Sequence, residues 1–296
     1  MGYKEEFLSY IEKEKRYSKH TVVAYENDIS QFHDFLNRKL ANFVLTDVTH
    51  KIIREWIVLL MSKGVTSATV KRKISTLKVY FKFLMREGVL VANPVELVTI
   101  PRVGKKLPVF LSENKMEDIK YGGLFEDTFE GFRDRLILEL FYQTGIRRSE
   151  LVGLQLSDID YARMQILVTG KGDKQRLIPI GWGLRRMIEE YLCLRKQEIA
   201  PHNDFVFVTK KGRQVYDKLV YLVVKKYLSC VTTMDKKSPH VLRHTFATHL
   251  LNNGAELEAI KELLGHANLA ATQVYTHTSF KQLIKVFKQA HPRAGN

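Results

Sequence analysis

The segment 101–108, PRVGKKLP, constrains the fold more than any other stretch of the chain. Two prolines, a glycine and three basic residues cannot continue a helix or a strand, so the sequence on either side must form separate bodies. A length of 296 residues suffices for two domains that each bury a core. We read residues 1–103 as one domain and 104–296 as another, joined by a linker at about 100–108. The first reads as helices only. Val22, Tyr25, Ile29, Phe32 and Leu36 recur at spacings of three and four, as do Val70, Ile74, Leu77, Phe81 and Leu84. The second is mixed, with helices expected near 129–143, 184–198, 214–229, 239–253, 256–264 and 269–277. A β-hairpin is expected at about 164–180, with strands MQILVTG and QRLIPI and a turn at 170–174. The fold class is thus mainly α with a small β-sheet.

Charge narrows the partner. The chain carries 47 Lys+Arg against 32 Asp+Glu, a net +15, which points to a polyanion. Residues 1–106 hold 19 basic against 11 acidic side chains, so the excess is shared between the halves and both are expected to touch the same partner. On the helix at 67–86, Lys71, Lys78 and Lys82 form a basic face beside the apolar one, suited to phosphate contact or simply to solvation. No apolar stretch approaches the roughly 18 residues of a membrane span. The acidic N-terminus, MGYKEEFLSYIEKEK, is not a secretion signal, which leads us to expect a cytoplasmic, nucleoid-associated protein. Cys193 and Cys230 lack the spacing of a zinc site and are expected to be reduced packing residues.

Four segments carry residues of catalytic type. In TGIRRSEL a helix breaks at Gly145 and another opens with Arg147, a cation where helix dipoles favour anions; either both face a bound anion, or Arg147 merely pairs with Glu150. Lys171 sits between Gly170 and Gly172, in a turn able to bring an amine to a reacting atom, although lysines in hairpin turns are ordinary. In SPHVLRH, a Ser cap and Pro239 start a helix on which His240 and Arg243 share a face. In LLGHAN, Gly265 ends a helix, Asn268 can cap the next and His266 is presented at the corner; Tyr275 follows nine residues later, by itself a packing residue.

In this order, Arg147, Lys171, His240, Arg243, His266 and Tyr275 closely resemble the tyrosine recombinase (phage integrase) family, nearest to its Xer branch. The resemblance covers nearly the whole chain, from FLSYIEKEKRYSKHTVVAYENDISQFHDFL to His291-Pro292-Arg293-Ala294. Arg148 departs from it, standing where the family usually has an apolar residue. The resemblance implies an N-terminal helical, SAM-like core-binding domain and an α+β catalytic domain, arranged as a C-shaped clamp on duplex DNA. It implies that Tyr275 attacks a phosphodiester to give a 3′-phosphotyrosine and a free 5′-hydroxyl, without metal, ATP or other cofactor. Arg147 and Arg243 would hold the phosphate oxygens, His240 and His266 add hydrogen bonds, Lys171 protonate the leaving oxygen and Glu150 orient the cluster.

The partners so implied are a double-stranded recombination site and three further subunits, either identical or including a paralogous recombinase, with a DNA translocase as an activator. The terminal helix bearing Phe280, Leu283, Ile284 and Phe287 is implied to dock on a neighbouring subunit, with folding back onto its own domain as the alternative for the free protein. Resolution of chromosome or plasmid dimers at cell division is the expected task. A mobile-element integrase or invertase, a type IB topoisomerase-like enzyme and a vestigial architectural DNA-binding protein are the other readings.

Overall fold

The apolar stripes become buried helix faces in the computed structural model, which describes residues 2–40, 43–99, 109–170, 174–199, 203–265 and 277–294, with 277–282 in backbone only. The chain divides into two compact units, Met1–Lys106 and Leu107–Asn296. The boundary expected at 103/104 and the linker at 100–108 fall outside the described residues.

The first unit holds α1 (Tyr3–Ser9), α2 (Lys19–Lys39), α3 (His50–Ser62) and α4 (Ser67–Arg86). Ser18, Thr49 and Thr66 cap the last three through their side-chain oxygens. Ile29, Phe32 and Leu36 of α2 meet Val70, Ile74, Leu77, Phe81 and Leu84 of α4 in one core with Trp56 of α3. Lys71, Lys78 and Lys82 are exposed on α4. Lys73 is not. It is buried with Asp28, whose carboxylate accepts from Lys73 Nζ at 2.9 Å, Thr76 Oγ1 at 2.9 Å and both Nη atoms of Arg72.

The second unit is built around α6 (Phe129–Thr144), nearly all of whose side chains are buried. Around it pack α8 (Trp182–Glu198), α9 (Asp217–Val231) and α10 (Pro239–Asn252). Also present are α5 (Glu113–Tyr121), α7 (Arg148–Val152), α11 (Leu257–Leu264) and α12 (His277–Ala290). The expected hairpin is present as β2 (Gln165–Thr169) and β3 (Gln175–Pro179), paired antiparallel from Gln165↔Pro179 to Thr169↔Gln175. A third strand, β1 (Ile159–Asp160), extends it. Two residues are too few for an alternating pattern, so β1 had no signal in the sequence. The helix expected at 269–277 falls outside the described residues up to α12.

Of the two resting places expected for the terminal helix, the single chain shows the one on its own unit. Leu283, Phe287 and Ala290 of α12 pack on their own unit, against Phe246 and Leu250 of α10 and Leu263 and Leu264 of α11. An apolar stripe that finds a groove in its own chain avoids the entropy cost of association. The tail beyond α12 is anchored as firmly. Arg293 is 2% exposed and pairs with Glu139 of α6, also donating to the Met116 carbonyl at 2.6 Å. His291 Nε2 donates to the Tyr142 carbonyl at 3.2 Å and its Nδ1 accepts from the Arg293 N–H at 3.1 Å, so the ring is satisfied as a neutral species. Among the described residues no helix is long and apolar enough to cross a membrane.

Two measurements check these buried charges. Asp28→Ala leaves Lys73 buried without its counter-charge, with Gln31 Oε1 at 2.7 Å as its remaining acceptor, and should lower the stability of the first unit by about 3–5 kcal/mol. Urea unfolding followed by tryptophan fluorescence reads this unit selectively, because Trp56 is 2% exposed while Trp182 is 66% exposed. The second measurement is of acid stability. Burial, then the charges of Arg293 and His249, push His291 down to about 3. The unfolded chain takes up that proton near 6.5, so stability is complete above about pH 6.5 and declines as pH falls toward 3, by up to about 1.4 kcal/mol per pH unit. His291→Gln should flatten that acid limb in calorimetric scans.

Candidate active site

Where α6 ends, the backbone is forced into one arrangement. Gly145 adopts φ +59°, and a Cβ there would stand 2.5 Å from Phe246 and 2.8 Å from Leu264. Glycine alone allows both the left-handed turn and the close approach of α10 and α11. Two residues on, Arg147 is the N-cap of α7 with extended backbone, and its N–H donates to Glu150 Oε2 at 2.8 Å. The Glu150 side chain therefore turns back over the start of its own helix.

Glu150 is the centre of the site. Its carboxylate is 1% exposed and accepts from Arg147 Nη1 at 2.7 Å and, through both oxygens, from Arg176 Nη1 and Nη2 at 2.8 Å each. Burial works to raise its pKa, but hydrogen bonds and charge from Arg176, then Arg147, pull it down to about 2. Three arginines then cap the end of α11. Arg176 Nε donates to the Leu263 carbonyl at 2.8 Å, Arg243 Nη2 to Leu264 at 2.6 Å and Arg147 Nη2 to Gly265 at 2.7 Å. These are orphan carbonyls at the negative end of a helix dipole, the natural seat for cations. Arg243 Nη1 also donates to the Gly145 carbonyl.

Three guanidinium groups against one carboxylate leave two net positive charges in a largely buried cluster. Burial, then the like charges of Arg147 and Arg176, lower Arg243 to about 9, so it remains protonated at neutral pH. Arg147 keeps 36% of its side chain exposed, which gives an incoming group access to the cluster. Such a pocket fits an oxyanion: Arg147 and Arg243 are each fixed by carbonyl or carboxylate partners while, among the described residues, Nε of each makes no hydrogen bond.

Of the residues singled out in the sequence, Arg147, Glu150 and Arg243 are brought together here. His240, three residues before Arg243 on α10, is exposed. Lys171, His266 and Tyr275 lie outside the described residues. Their neighbours do not: Gly170 and Lys174 close the hairpin turn by a 2.8 Å backbone bond, and Gly265 is held by Arg147. Gly170 lies against the cluster, since a Cβ there would be 3.1 Å from Glu150 Oε1 and 3.6 Å from Arg147 Nη1. Arg148 pairs with Asp217 of α9 at 2.8 Å, tying α7 to α9. Ser238 precedes Pro239 as expected, but its side chain makes no capping bond. Cys193 and Cys230 are free and exposed rather than packed. Arg176 was missed, because an arginine in QRLIPI reads as an outward position of a strand. Among the described residues no cluster of three or more His, Cys, Asp or Glu side chains is placed to hold a metal.

Comparison with known proteins bears on the whole chain. Residues 116–282 match the phage integrase family, and residues 5–88 match its N-terminal SAM-like domain. A tyrosine recombinase XerC of Chlorobaculum tepidum is 37% identical, covering 98% of this chain and 94% of that protein. One of Staphylococcus haemolyticus is 41% identical, covering 97% of this chain and 96% of that protein. The crystal structure of the XerH recombinase bound to a palindromic difH substrate, 22% identical, shares the fold with a TM-score of 0.73, covering 96% of this chain and 84% of that one. A catalytic-domain match over more than half of the chain and near full-length identity to such enzymes agree with the arginine pocket: the chain belongs to the phage integrase family and is a site-specific tyrosine recombinase of Xer type, an enzyme that cuts and rejoins DNA.

Proposed function

We propose that this recombinase attacks its DNA site with Tyr275 inside the Arg147–Arg243 pocket, and that it resolves dimers of chromosomes or plasmids. The observation that carries the chemistry is the set of three guanidinium groups, of Arg147, Arg176 and Arg243, fixed to α11 carbonyls around the Glu150 carboxylate, two positive charges in excess. A phosphodiester carries one negative charge, and the pentacoordinate state formed by phenolate attack carries more. Donors already held in place stabilise that increase without reorganising.

Arg147 and Arg243 hold the non-bridging oxygens and Glu150 keeps Arg147 aligned. His240 manages the tyrosine proton, since a phenol with an ordinary pKa near 10 needs such help at neutral pH. His266 donates a further hydrogen bond, and Lys171 gives a proton to the departing 5′-oxygen. Residues 104–296 form the catalytic domain and 1–103 the core-binding domain, with Lys71, Lys78 and Lys82 on DNA phosphates. The assembly is a tetramer on double-stranded DNA, built from identical subunits or with a paralogous recombinase, and a DNA translocase is its activator. Exchange of α12 between subunits would give each groove an identical occupant. The relatives named XerC support the cellular task and the paralogous partner.

The test begins with the site. Chromosomal fragments retained by the protein are footprinted, and the footprint is rebuilt as a nicked duplex that traps cleavage. Wild type should form an SDS-resistant adduct, and Tyr275→Phe should form none while binding the duplex normally. Lys171→Ala should lose about 100-fold or more in adduct formation, the usual span of a general acid. A duplex with sulfur in place of the 5′-bridging oxygen should restore it, because a thiolate leaves without a proton. Wild-type protein that assembles on the duplex yet never forms the adduct would refute this function.

A further inference from the structure

We propose that Arg176 is a positioning residue of the cleavage reaction, tying Glu150, and through it Arg147, to the last turn of α11 and to the strand that follows the Lys171 turn. The inference rests on the roles given above to Arg147, Lys171 and His266. Arg176 is 4% exposed, too deep to touch DNA itself. The residue has three connections that matter. Nη1 and Nη2 form the two-pronged bond to Glu150, Nε holds the Leu263 carbonyl, and its own backbone lies in β3, five residues after Lys171.

No other residue type could do all three. Glutamine offers one donor group, and lysine offers a point charge that cannot hold two carboxylate oxygens in one plane while a further N–H reaches a carbonyl in another direction. The contact with Gly265 is equally close: a Cβ there would come within 3.1 Å of Arg176 Cδ. Gly265 both gives its carbonyl to Arg147 and precedes His266. One guanidinium thus sets the separation of the hairpin, α7 and α11, three elements that approach each other without covalent constraint.

The charges facing Glu150 among the described residues come from Arg147 beside α7, Arg176 on β3 and Arg243 on α10. Removing Arg176 takes away the strongest of the groups that keep this buried carboxylate ionised. Its pKa then rises, so protonation at acidic pH frees Arg147 from its alignment, and raising the pH restores it.

The experiment compares wild type, Arg176→Lys and Arg176→Gln on the nicked duplex rebuilt from the footprinted site, with melting temperature and duplex binding measured alongside. Arg176→Lys should bind the duplex as wild type does and form the adduct about 100-fold more slowly, the scale expected of a displacement near 1 Å. For Arg176→Gln the rate relative to wild type should worsen as pH is lowered from about 8 to about 5.5, a signature that a loss of packing alone does not produce. The proposal is overturned if Arg176→Lys forms the adduct within about threefold of wild type. It is overturned equally if adduct formation falls only in proportion to folded, bound protein and the ratio for Arg176→Gln is constant with pH. Failure of wild type to form any adduct removes the proposed function, and this inference with it, before any variant is compared.

Discussion

Everything at the candidate active site hangs on the buried carboxylate of Glu150. A single negative charge, shared between Arg147 and Arg176, lets three guanidinium groups stand within one small volume. Without it their mutual repulsion and desolvation would drive the side chains apart or into solvent. With it the cluster still has two positive charges in excess, enough to be stable in the free protein and incomplete until an anion arrives. Preorganisation here means arginines that are held but not neutralised.

The end of α11 supplies the rest of the restraint. Helix termini leave carbonyls without partners, and three consecutive ones, on Leu263, Leu264 and Gly265, each receive a different arginine. The same bonds that finish the helix therefore fix the direction of the donors. Gly145 makes this possible from the other side, since any side chain there would keep α10 and α11 away from the end of α6.

The elements were legible in the sequence where their cause is local. Stripes at spacings of three and four marked α2 and α4, and the turn GKGDK between alternating strands marked the hairpin. Arg147, Glu150 and Arg243 stood out through helix-terminal position or through the order shared with a known family. Arg176 did not, because what buries it is a carboxylate 26 residues earlier in the chain, and strand alternation cannot see that. Arg293 was invisible for the same reason, its partner Glu139 lying 154 residues away on α6. The resting place of α12 stayed open between its own unit and a neighbour because an apolar stripe states that it needs a groove, not whose groove it is.

Three buried ion-pair clusters recur in one pattern. Asp28 joins α2 to α4, Glu150 joins α7 to β3, and Glu139 joins α6 to the tail after α12. Such pairs add little net stability compared with well-packed apolar residues, because desolvation offsets most of their attraction. Their value lies in geometry: an apolar contact tolerates sliding by an ångström, whereas a two-pronged carboxylate bond does not. The tail cluster is the most telling of the three. It fixes the chain beyond α12 to α6, and α6 runs directly into Gly145 and Arg147, so the tail and the arginine cluster share one supporting helix. A cluster of cations and a chain terminus tied to one helix keep their separation even as the surrounding domain breathes.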